Sequence, residues 1–71
     1  MDVLVFKTSV KNELQASQLQ PKLDKLIQQG ECWNFDLEDC DRILRFEANQ
    51  IRAEKILKTL HQSGFECEEL L

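Results

Sequence analysis

Two stretches of strict two-residue alternation, Cys32-Trp33-Asn34-Phe35-Asp36-Leu37 and Arg42 to Ala48, stand only a short polar link apart, and no other feature constrains the fold as strongly. Alternation of this kind puts Trp33, Phe35 and Leu37 on one face of a strand and Leu44, Phe46 and Ala48 on one face of the next. The link Glu38-Asp39-Cys40-Asp41 is short enough for a hairpin, which makes the two strands antiparallel neighbours.

The remaining elements arrange themselves around that hairpin. Val3-Leu4-Val5-Phe6 is a wholly apolar run rich in β-branched and aromatic residues, the pattern of a central strand, with Leu4 and Phe6 on one face and Val3, Val5 and Lys7 on the other. From Asn12 to Gln29 the residues Ala16, Leu19, Leu23, Leu26 and Ile27 recur at helical spacing. Pro21 removes one amide donor and crowds the carbonyl of Ser17, so either a kink or a helix start near Gln20 is expected. Gly30 is expected to end this helix in the left-handed conformation. Asn49 is a suitable N-cap for a second helix with Ala53, Ile56, Leu57 and Leu60 on its buried stripe, and Gly64 is expected to stop it. Phe65-Glu66-Cys67-Glu68-Glu69-Leu70 follows as an edge strand whose acidic side chains suit an exposed rim.

The order β-α-β-β-α-β defines an α+β class, the ferredoxin-like sandwich: a four-stranded antiparallel sheet with two helices on one face. The first strand-helix loop, the 38–41 hairpin turn and the Ser63-Gly64-Phe65 turn then share one end of the fold. Gly30, Cys32 and Asn49 fall at the other.

Length and charge narrow the function classes. A chain of 71 residues, read as one domain over 1–71, has no room for a second core. No apolar tract is long enough to span a bilayer, and Met1-Asp2 leads into a strand without the basic and apolar regions of a secretory signal, so a cytoplasmic protein without membrane insertion is expected. A formal charge of −4 repels phosphate backbones, which argues against nucleic acid as a partner. Three cysteines without framework spacing fit reduced thiols.

Phe6-Lys7-Thr8-Ser9-Val10-Lys11, Pro21-Lys22-Leu23, Trp33-Asn34-Phe35-Asp36-Leu37-Glu38, Ile56-Leu57-Lys58-Thr59-Leu60 and Ser63-Gly64-Phe65 together resemble the heavy-metal-associated (HMA-like) domains of small copper chaperones across almost the whole chain. That resemblance implies binding of monovalent copper or another soft metal by a Cys-x-x-Cys pair where the first loop meets its helix. Here the matching positions hold Asn12 and Gln15. Their neutral amides are hard oxygen donors and cannot replace two thiolates, so no metal or other cofactor is expected at this loop. Asn followed three residues later by Gln has instead the spacing of a capping box.

Other residues invite weaker readings. Cys32 and Cys40 lie at opposite ends of one strand, about 20 Å apart at ~3.3 Å per residue, and cannot share an ion. Cys67 reads as a small core residue if it shares a face with Phe65. Cys40 sits at the altered loop end among Glu38, Asp39 and Asp41, acidic neighbours that damp thiol reactivity. His61, in the last turn of the second helix, suits the helix dipole and has no second ligand in register. Phe65 either packs in the core or shields the first loop, and Trp33 points under the helices. Val3, Val5 and Ile43 lie on the uncovered sheet face beside Lys7, Arg45 and Glu47, a candidate surface for a protein partner or a homodimer.

The expected function is therefore a non-catalytic protein-binding module of metallochaperone-like plan, with a degenerate metal-binding site. The alternative is a copper or other soft-metal carrier that recruits Cys40 or His61. Catalysis is not expected: the acylphosphatases share this plan but need an arginine in a glycine-rich loop, and Ser9 to Asn12 contains neither residue type.

Overall fold

A computed structural model describes residues 2–49 and 51–70. Its elements are β1 (Asp2–Thr8), α1 (Glu13–Asp24), β2 (Cys32–Asp36), β3 (Ile43–Ala48), α2 (Ala53–Gln62) and β4 (Cys67–Leu70). The strands form one antiparallel sheet in the order β2-β3-β1-β4. This is the expected ferredoxin-like arrangement, with β1 central and β4 at an edge.

Register follows from the alternation. Phe6 stands opposite Leu44 and Leu4 opposite Phe46, so the apolar residues of β1 and β3 share the helix-bearing face. There Phe6, Leu44 and Phe46 pack with Leu19 and Leu23 of α1 and Ile56 and Leu60 of α2, all fully buried. Each such side chain contributes about 1.5–3 kcal/mol by leaving water. The rings of Phe6 and Phe46 meet edge to face, centroids 6.5 Å apart at 84°. Trp33, Phe35, Leu37 and Phe65 surround this cluster, half-buried.

The helix limits differ from the expected ones. α1 begins at Glu13 behind Asn12, so Pro21 lies inside it and is not its start. It also ends at Asp24, short of Gln29. Leu26 and Ile27 lie beyond the helix, where the amide of Leu26 bonds the carbonyl of Leu23 at 3.0 Å and the chain turns with both side chains still against the core. Gly30 consequently does not stop α1. With φ at +88° it takes the third position of a turn closed by Glu31 N and Gln28 O at 3.0 Å, a place where a positive φ favours glycine.

α2 is likewise not capped by Asn49. Arg52 occupies the N-cap position in an extended conformation and makes no side-chain cap bond. The amide of Asn49 instead donates to Glu31 Oε2 at 2.7 Å, while Gln28 N donates to Glu31 Oε1 at 2.8 Å. These two amides, Asn49 first, hold the Glu31 carboxyl below its ordinary range.

The exit from α2 matches expectation. Phe65 N bonds Leu60 O at 3.0 Å and Gly64 N bonds His61 O at 3.1 Å, the paired bonds of a Schellman motif, with Gly64 at φ +90°. Phe65 follows it into the core, and β4 starts at Cys67, two residues later than the apolar pattern implies. Among the described residues, nothing beyond its chain neighbours lies within 4 Å of where a Cβ at Gly64 would sit, so a side chain there is opposed by backbone conformation alone. Gly64→Ala is therefore expected to lower unfolding stability by about 1–2 kcal/mol without changing the fold, measurable by urea denaturation.

Candidate functional site

The end of the fold that carries the first loop is built by hydrogen bonds between segments distant in sequence. Thr8, nearly buried, donates its hydroxyl to Arg42 O at 2.6 Å and accepts from Val10 N at 3.2 Å. Its own amide reaches Asp41 O at 3.1 Å. Ser9 pairs with Glu66 twice, through Ser9 N to Glu66 O at 3.1 Å and Glu66 N to Ser9 Oγ at 2.8 Å. The three loops expected at one end do meet there, and Val10 is driven fully into the core between them.

Asn12 and Gln15 are both engaged by this loop. Asn12, with φ −154° and ψ 173°, accepts the amide of Gln15 on Oδ1 at 2.9 Å. Gln15 Oε1 in turn accepts the amide of Lys11 at 2.8 Å, one residue before the usual partner of a capping box. The Asn12 oxygen thus satisfies a backbone donor that the helix start would otherwise leave open, and the Gln15 oxygen one in the loop just before it. The pair does not fit a soft metal: it offers no sulfur, and its oxygens already have partners.

Arg42 is the residue here that alternation and spacing do not reveal. The turn before it is closed by Arg42 N to Asp39 O at 3.0 Å, and Asp39 Oδ1 accepts Asp41 N at 2.8 Å. Arg42 itself takes φ +50°, a left-handed value usually filled by glycine at the end of such a hairpin. Its guanidinium donates from one nitrogen to Leu37 O at 3.0 Å and Lys11 O at 3.1 Å, joining the hairpin to the first loop.

The titratable candidates lie apart in function as well as in place. Among the described residues, the three metal-capable side chains whose ligand atoms come within 4.8 Å of one another are Asp39, Cys40 and Asp41, and His61 is not with them. Two carboxylates and one thiol are a poor set for a soft ion, and Asp39 and Asp41 are already occupied, Asp41 by an exposed ion pair to Lys7 at 3.7 Å. His61 is exposed, its Nε2 3.3 Å from Cys67 O. Cys67 lies half-buried opposite Thr8, and burial pushes its thiol up to about 12. Cys32 is exposed on β2, where its thiol donates to Glu47 Oε2 at 3.1 Å. This hydrogen bond is the main reason its pKa is raised.

The sheet face away from the helices carries Val3, 55% exposed, and Leu70, 37% exposed, with half-buried Val5 standing opposite Leu70. Ile43 contributes little to this surface. Its central position between the cross-strand partners Lys7 and Asp36 leaves it only 8% exposed. The apolar row is therefore Val3, Val5 and Leu70 rather than Val3, Val5 and Ile43.

Thiolate chemistry should rank two of the cysteines. Under limiting iodoacetamide at mildly alkaline pH, exposed Cys32 is expected to be alkylated before Cys67, whose half-buried thiol is pushed up to about 12, as read by peptide mass spectrometry. Compared with protein-family models, with curated proteins and with solved structures, the chain matches none of them, and the HMA-like resemblance stands on the residues quoted for it alone.

Proposed function

We propose that this chain is a non-catalytic protein-binding module of HMA-like plan, in which the soft-metal position has become a helix cap and the uncovered sheet face meets a partner. The observation that carries this reading is the apolar row Val3, Val5 and Leu70 on a face that no described element covers. Supporting it, the polar groups at the loop end serve the scaffold: Asn12, Gln15, Thr8 and Asp39 all bond backbone. Exposed apolar side chains in a row across two strands form a surface that association removes from water. A second copy of the chain is one partner that this face would accept.

The soft-metal carrier reading has less behind it, because Cys40 is grouped with carboxylates and His61 lies outside that group. One experiment separates the two. A photo-crosslinking residue placed at position 3 or 70, in cells that express the chain, is expected to give a discrete adduct that one at exposed Lys58 does not. Monovalent copper offered with a competing chelator is expected to stay with the chelator. Adducts absent from positions 3 and 70, or equal at Lys58, would remove the binding-module reading. Tight capture of one copper ion per chain would replace it with the carrier.

A further inference from the structure

The two edges of the sheet are unlike. β4 is four residues long and carries Glu68 and Glu69, the short charged form that discourages further pairing. β2 is one residue longer, contains no lysine and no proline, and pairs with β3 at five consecutive positions without a bulge. Among the described residues, its other edge has no strand partner.

Beside that free edge runs a groove of about 540 Å³, between β2 and α1, bordered by Glu13, Ala16 and Gln20 and by residues 33–38. Successive residues of a strand point to opposite faces, so a single groove can be bordered by Trp33, Asn34, Phe35 and Asp36 together only if it follows the backbone edge of β2, and Leu37 and Glu38 continue it past the strand end. Half-buried Trp33 and Phe35 give it an apolar wall, their rings edge to face at 5.9 Å. Trp33 is held in place by its indole N–H, which donates to Asp24 Oδ1 at 2.8 Å. The charges bordering the groove are Glu13, Asp36 and Glu38, with no lysine, arginine or histidine among its lining residues.

We propose that this edge binds an extended basic segment of another protein as a fifth strand. The segment would place apolar side chains at every second position along Trp33 and Phe35, and lysines or arginines between them facing Asp36 and Glu38. Main-chain hydrogen bonds to β2 supply affinity and the alternate side chains supply selectivity. The five residues of β2 give a docking length of about 17 Å. A second copy of this chain suits the edge less well, since its β2 would add its own Asp36 and Glu38 to a groove whose lining charges, Glu13, Asp36 and Glu38, are all acidic. The proposal rests on the binding-module reading but uses a surface other than the open sheet face.

The test is titration of the isotope-labelled chain, followed through its amide resonances, with a blocked peptide of about eight residues alternating Lys and Val. Its counterparts are a Glu-Val peptide and a Lys-Val peptide N-methylated at every residue. The Lys-Val peptide is expected to shift the amides of residues 33–38 and the Trp33 indole, more weakly at high salt. The Glu-Val and N-methylated peptides are expected to leave them in place. Glu13→Gln and Glu38→Gln should each weaken binding by roughly twofold to fivefold, with the rest of the spectrum unchanged. The proposal is overturned if millimolar Lys-Val peptide leaves β2 unmoved, if Lys-Val and Glu-Val peptides bind alike, or if the β2 amides shift with chain concentration alone, which would make a second copy the occupant. Cross-linking from positions 3 and 70 reads the other surface, so failure of the peptide titration is distinguishable from failure of the binding-module reading.

Discussion

The guanidinium of Arg42 holds together the end of the fold at which three loops converge. Its two bonds reach carbonyls at Lys11 and Leu37, and its own carbonyl accepts the Thr8 hydroxyl, so the hairpin turn, the first loop and the end of β1 form one unit. A left-handed φ costs a residue with a side chain about 1–2 kcal/mol. Hydrogen bonds from a charged donor contribute about 1.5–3 kcal/mol each, enough to offset that cost and to explain why glycine is not found there. With the turn so fixed, Val10 is carried into the core and Asn12 is presented where α1 must begin.

This end of the molecule is rich in polar atoms and poor in free chemistry. Asn12 and Gln15 answer each other's segment, Asp39 closes its own turn, and Ser9 ties the loop to the entry of β4. Two of the thiols are held protonated, Cys32 by the acceptor beside it and Cys67 by burial. What the fold leaves unspent lies on its sheet: an apolar row on the face without helices and an open backbone edge along β2. The two surfaces differ in kind, one apolar and flat, the other a groove with acidic borders.

How much of this could be read from residues alone depends on the range of the interaction involved. Strands and register were legible because alternation is set by the pleat, residue by residue, and Phe6, Leu44 and Phe46 fall where it puts them. The Asn12 and Gln15 cap was legible for the same reason, being a spacing of three along one helix start. The end of α1 and the start of α2 were not. Leu26 and Ile27 keep helical spacing in a turn that follows the helix, and Asn49 has the chemistry of a cap while its amide is taken by Glu31 from another loop. Arg42 could not be singled out, since one of its two acceptors lies 31 residues away. Nor could the state of β2: alternation pairs it with β3, but only the full strand order leaves its second edge open.

Trp33 is the chain's sole tryptophan, and there is no tyrosine. Ultraviolet emission excited at long wavelength therefore arises at one place, the wall of the β2 groove, from an indole anchored to Asp24. The molecule consequently carries its own optical reporter at the strand edge. Changes in intensity or wavelength would follow the solvation of that edge directly, while events confined to the opposite face of the sheet would leave the signal unchanged.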